Sequence, residues 1–150
     1  MHLIDLIPDI DKALAETTVT GVTADSREVA PGNIFVAIRG TQQDGHDYID
    51  AAIKAGAGAI IVEGDAAKKA VKTDIPVISM ENTRQALALI AARCHSGQPT
   101  SVIAVTGTNG KTSTVEFIRQ ICQRQGWRSA SIGTLGIRGD LPRDKTNQWI

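Results

Sequence analysis

The stretch that most constrains the fold is Val102-Ile103-Ala104-Val105, then Thr106-Gly107-Thr108-Asn109-Gly110-Lys111-Thr112, then a helix-forming run to Gln125. Four apolar residues in a row, without alternation, predict a strand buried on both faces, as in a parallel sheet covered by helices. Beyond the glycines, Val115, Ile118, Ile121 and Cys122 recur at helical spacing and predict one apolar helix face. A strand that turns through glycines into a helix is the repeating unit of an α/β protein.

The rest of the chain keeps that alternation. Residues 33–38 and 59–62 are β-branched runs that read as strands, and Pro76-Val77-Ile78 begins another. Helix formers occupy Tyr48 to Ala55 and Asp65 to Val71, with Gly56 and Gly58 as a stop after the first. A longer helix is expected from Thr83 to His95, with Asn82 and Gln85 spaced for a capping box and Leu87, Ile90, Ala91 and Cys94 on its buried face. Ser96-Gly97-Gln98-Pro99-Thr100 reads as a helix exit and linker. Ser129 to Ile132 is a further strand, with Gly133, Gly136 and Gly139 as punctuation after it. The expected class is therefore α/β, with a small domain over residues 1–98 and the beginning of a second, parallel-sheet domain over 101–150. That second part holds only about one βαβ unit, against roughly 100 residues for an ordinary domain.

Bulk properties exclude several functions. The 16 basic and 16 acidic residues cancel, and a nucleic-acid binder needs basic excess. Aromatic residues make up 3% of the chain, so Ala, Val, Ile and Leu must build the core. Cys94 and Cys122 lack CxxC spacing and are expected to be reduced thiols. The N-terminus has no signal-peptide pattern, and no run approaches the ~20 apolar residues of a membrane span. A soluble, cytoplasmic, monomeric protein is expected. None of the three histidines stands in a cluster with metal-ligand spacing.

The glycine loop carries the chemistry. Gly107 and Gly110 permit positive φ and close approach to an anion. The amides at the following helix start, with the helix dipole, favour negative charge. Lys111 reaches terminal phosphates, and the Thr112 hydroxyl is placed to ligate Mg²⁺. The general P-loop has a glycine where Val105 stands, so this is a shortened relative of it. ATP is the expected occupant. A kinase-like enzyme using such a loop needs a later Walker-B aspartate, which this chain lacks.

Thr106-Gly107-Thr108-Asn109-Gly110-Lys111-Thr112 after an apolar strand resembles the ATP loop of the Mur ligases. Gly21 to Arg27, Pro31 to Ala37, Gly40 and Asp44-Gly45-His46 resemble the UDP-binding domain of two members, which add the third amino acid and the terminal dipeptide. The resemblance implies that Gly107, Thr108, Asn109, Gly110, Lys111, Thr112 and Ser113 bind ATP. It implies that Ala24 and Ser26 contact the UDP of the substrate, and that Thr41, Gln42 and Gln43 lie over the uracil. Read without the resemblance, Asp25-Ser26 is first a self-bonded turn, Arg27 a surface or salt-bridge residue, and His46 part of the next helix start.

Ser131-Ile132-Gly133-Thr134-Leu135-Gly136 is similar to the tripeptide-forming branch of the family. That branch joins a diamino acid, meso-diaminopimelate or L-lysine, to UDP-N-acetylmuramoyl-L-alanyl-D-glutamate through an acyl phosphate, in peptidoglycan precursor synthesis. The alternatives are the dipeptide-adding branch and a non-catalytic UDP-sugar module with a vestigial loop. The family's Thr-Thr-Pro-like segment has no clear counterpart in Asp144 to Gln148, and no residue here reads as a general base. This chain alone is expected to be inactive.

Overall fold

The computed structural model describes residues 1–40, 43–95 and 99–140, so Thr41, Gln42, Ser96 to Gln98 and the last ten residues lie outside the description. The chain divides into two compact units, Met1–Gln98 and Pro99–Ile150.

The first unit is built on four parallel strands, β1 (Gly21–Thr23), β2 (Asn33–Val36), β3 (Ala59–Glu63) and β4 (Val77–Met80), side by side in chain order. Its helices are α1 (Leu3–Leu6), α2 (Ile49–Lys54), α3 (Asp65–Ala70) and α4 (Thr83–Cys94). Successive residues of a strand point to opposite faces, and here both faces are covered. Ile34, Val36, Ala59 and Ile61 pack with Leu3, Leu6 and Ile90 of α1 and α4. Phe35, Ala37, Ile60 and Val62 pack with Ile49 and Ala52 of α2 and, at the edge, Ala67 of α3. A sheet clothed on both sides explains why β2 and β3 read as unbroken apolar runs.

Helix ends follow local chemistry. Gly56 stands at φ +96, a conformation that strains other residues. It closes α2 through Gly56 N to Ile53 O and Ala57 N to Ala52 O, both 3.0 Å, the paired bonds of a Schellman ending. The Asn82 side chain accepts from Gln85 N at 3.0 Å. The reciprocal half of the expected capping box is not formed among the described residues. On α4, Thr83, Ala86 and Ile90 are buried, while Leu87 and Cys94 are partly buried beside them.

Helix α1 was not foreseen, because four residues carry no readable period. It is held by Leu3 N to Thr17 O (3.0 Å) and Ile4 N to Ala15 O (3.1 Å), and Leu3 and Leu6 are fully buried.

The second unit contains α5 (Lys111–Arg124) and an antiparallel hairpin of β5 (Ala130–Gly133) and β6 (Gly136–Gly139). The hairpin's second strand occupies what the sequence offered only as glycine punctuation. The expected strand over 102–105 does not form, and Val102 and Ile103 are 79% and 64% exposed. A strand needs a neighbour to take its backbone bonds, and among the described residues of this unit β5 and β6 pair only with each other. The expected apolar face of α5 is likewise incomplete. Val115, Ile118 and Cys122 are half-buried, and Ile121 is 59% exposed.

Candidate functional site

The loop before α5 has Gly107 at φ +141 and Gly110 at φ +77. Gly110 occupies the N-cap position in the left-handed region, and no side chain caps the helix. The first-turn amides of α5 therefore have no intrahelical or capping partner, which is the local condition for receiving an anion. Lys111 Nζ donates to the carbonyls of Gly107 and, at 3.3 Å, of Thr108. The ammonium thus folds back over its own bend. All residues from Thr106 to Thr114 are exposed, so the bend remains open to solvent and the lysine can exchange these carbonyls for phosphate oxygens.

The side chains of Thr112 and Ser113 make no hydrogen bond among the described residues. No group of three or more His, Cys, Asp or Glu able to hold a metal exists among them either. A Mg²⁺ here would have the Thr112 hydroxyl as its protein ligand and would take its remaining oxygens from water and a bound ligand. That is the ordinary coordination of this ion.

In the first unit, the other candidate residues follow the carboxyl ends of β1 and β2, the edge at which parallel α/β sheets receive ligands. Ala24 is exposed, and Ser26 is half-buried at the start of a 3-10 turn, Ser26–Glu28. Asp25 Oδ1 accepts from Arg27 N at 2.9 Å, and the Arg27 guanidinium returns to the same carboxylate, Nη2 to Oδ2 at 2.5 Å. These bonds from Arg27 hold the Asp25 carboxyl at about 2 and raise the guanidinium's own value. The turn is self-bonded and Arg27 is engaged within it.

Gln43 belongs to the loop after β2, and its carbonyl accepts from Gly40 N at 2.9 Å. Thr41 and Gln42 lie outside the described residues. Sequence reasoning named Asp44 only within the resemblance and gave it no role, yet it is the hub beside them. Its carboxylate accepts from His46 N at 3.0 Å and faces His46 Nδ1 at 2.6 Å and Arg39 Nε at 3.4 Å. The backbone and ring of His46 lower the Asp44 pKa, with a further contribution from Arg39. Asp44 also caps the 3-10 turn Gly45–Tyr48 that leads into α2, so His46 does stand at a helix start. The signal was present in the sequence, as an Asp followed two residues later by a potential donor. From α4, Arg84 Nη2 donates to Arg39 O at 3.1 Å, tying this loop to the helix.

The sequence profile described as Mur ligase family, catalytic domain, matches residues 18–95. The chain belongs to the Mur ligase family. A second profile, the Mur ligase middle domain, matches residues 105–149. Among relatives of this Mur ligase chain, the UDP-N-acetylmuramoyl-L-alanyl-D-glutamate--2,6-diaminopimelate ligase of Bradyrhizobium diazoefficiens is 51% identical over 140 residues, covering 91% of the chain and 28% of the relative. The ligase of the same name from Coxiella burnetii is 39% identical over 138 residues, covering 90% and 28%. The Mur ligase chain thus spans little more than a quarter of the length of these relatives.

A solved structure of a diaminopimelate ligase of that name aligns over 99% of this chain and 30% of its own, with TM-score 0.74 and 25% identity. The MurF ligase of Thermotoga maritima, solved in complex with ADP, aligns over 74% of this chain and 24% of its own, with TM-score 0.57 and 35% identity.

Proposed function

We propose that this chain carries the UDP-substrate domain (residues 1–98) and the start of the ATP-binding domain (residues 101–150) of a cytosolic ligase. That ligase adds diaminopimelate to UDP-N-acetylmuramoyl-L-alanyl-D-glutamate. The observation that carries the reading is the open loop of Gly107 to Thr112, with two positive-φ glycines, uncapped helix amides, one lysine and the unbonded Thr112 hydroxyl. ADP in the Thermotoga relative supports ATP as the occupant. The names of the relatives support diaminopimelate over lysine, and the tripeptide-forming branch over the dipeptide-adding one.

In this reading the substrate carboxylate attacks the γ-phosphorus of ATP, ADP leaves, and an acyl phosphate forms. The amine of the diamino acid then attacks the acyl carbon and inorganic phosphate departs. Lys111 neutralises charge that develops on the transferring phosphoryl group, and Thr112 would hold a Mg²⁺ that would supply further charge neutralisation there. Gly107, Thr108, Asn109, Gly110 and Ser113 supply main-chain and hydroxyl donors. Ala24, Ser26 and Gln43, with Thr41 and Gln42, receive the UDP end. The monomer holds one of each site.

Calorimetric titration tests this. The 150-residue chain should bind Mg-ATP, and Lys111→Ala should weaken it by at least about tenfold, the loss of one charge-assisted contact. An unchanged affinity in Lys111→Ala refutes the nucleotide reading. Ser26→Ala should weaken UDP-muramoyl dipeptide binding and leave Mg-ATP binding alone.

A further inference from the structure

A cavity of about 190 Å³ lies between the start of α5 and the β5–β6 turn, with Lys111, Thr112 and Glu116 on the helix and Ser131, Gly133 and Thr134 on the hairpin. At roughly 30 Å³ per water, it has room for a phosphoryl group together with metal-bound water. We propose that the hairpin is the second wall of the nucleotide site, with the Ser131 and Thr134 hydroxyls contacting the terminal phosphate or the water on its metal. This rests on the nucleotide reading above and adds the residues opposite the loop.

The hairpin reaches this place for a geometric reason. Its open end is fastened to the later half of α5 by Ser129 Oγ to Arg119 O (3.1 Å) and Gln123 Nε2 to Asp140 Oδ2 (3.0 Å). From Ser129, four strand residues advance about 13 Å, at ~3.3 Å each. From Arg119 back to Lys111, eight helical residues cover about 12 Å, at 1.5 Å each. The turn therefore arrives level with the helix start. The side-chain hydroxyls of Thr112, Ser131 and Thr134 make no hydrogen bond among the described residues, so the cavity presents donors from both walls.

Glu116 is the one acidic group among the lining residues named, and a free carboxylate there would repel phosphate. It is not free. Arg119 grips both its oxygens, through Nε to Oε2 at 3.0 Å and Nη2 to Oε1, and Gln120 Nε2 adds a bond at 3.1 Å. Both side chains are largely withdrawn from solvent, at 17% and 14% exposure.

The test is titration of the 150-residue chain with Mg-ATP and Mg-ADP, for wild type and for Thr134→Val, Gly133→Val and Lys111→Ala. At Gly133 an added Cβ meets no atom within 4 Å, so valine there adds bulk beside the cavity without straining the strand. Thr134→Val should weaken Mg-ATP about tenfold, the loss of one hydrogen bond to a charged group, and leave Mg-ADP within about twofold. Gly133→Val should also weaken Mg-ATP, with an unchanged circular dichroism spectrum. If Lys111→Ala loses Mg-ATP while both hairpin variants bind it as wild type does, the second wall is refuted and the loop reading stands. If wild type binds no Mg-ATP, or Lys111→Ala binds it normally, both fall together.

Discussion

Replacing Gly45 by alanine tests how tightly the loop after β2 is packed. A Cβ built there lies 2.6 Å from Ile38 N, 2.7 Å from Ile38 O and 3.0 Å from Ala37 C. These are main-chain atoms at the end of a central strand, so no side chain can swing aside. The cost is steric, because Gly45 is not among the positive-φ glycines. Overpacking of this kind costs roughly 1–3 kcal/mol. The 2.9 Å bond from Gly45 N to Ile38 O must also stretch, at about 1 kcal/mol for one net hydrogen bond. A loss of about 2–4 kcal/mol is expected, equivalent to a urea midpoint lower by roughly 2 M at a slope near 1–2 kcal/mol/M. The chain has two units and need not unfold in one step, so amide exchange at Val36 and Ile61 in the central strands is the direct reporter. Gly133→Ala is the control, since its Cβ meets nothing within 4 Å, and it should stay within about 0.5 kcal/mol of wild type. A Gly45→Ala protein as stable as that control would refute the close crossing. It would also remove the physical explanation for glycine between Asp44 and His46.

Three further outcomes follow from the same geometry. Phe35→Ala empties the centre of the face covered by α2, where Phe35 is 1% exposed, and should cost about 3–5 kcal/mol by the same exchange measurement. Asn82→Ala removes the side-chain acceptor for Gln85 N and should destabilise the first unit by about 1 kcal/mol in urea unfolding. Glu116 is held at about 2, against an ordinary 4.5, chiefly by its bonds to Arg119. Its stabilisation is therefore complete above about pH 4.5 and disappears as pH falls toward 2. An acid titration followed by the fluorescence of Trp127 should show that decline in wild type, and Glu116→Gln should flatten it.

What was legible in the sequence divides by how far each feature's cause lies along the chain. β2 and β3 were readable because two covered faces force every residue to be apolar. The start of α4 was readable because Asn82 and Gln85 N are three residues apart. α1 was not, since its burial comes from β-strand residues far along the chain and four residues show no period. Arg27 reads first as a surface or salt-bridge residue, and the conformation of the turn after β1 supplies its partner, Asp25. Asp44 is legible only in part. Its bond to His46 N is local, whereas the approach of Arg39 from across the loop, at 3.4 Å, depends on the fold.

The same division explains why the loop at Gly107 was more legible than the strand in front of it. Everything the loop needs sits within six residues: two glycines free to take positive φ, amides at a helix start, an ammonium and a hydroxyl. None of these depends on distant chain. Burial of residues 102–105 depends wholly on distant chain, because a parallel strand takes its ladder bonds from neighbours that a crossover must deliver. Four apolar residues state a requirement for such neighbours without supplying them. The 79% exposure of Val102 is that requirement left unmet within the described residues. Since the loop's conformation is set locally, phosphate affinity should survive where the strand stays unpaired. Lys111→Ala therefore tests the loop's chemistry without first requiring the sheet to be complete.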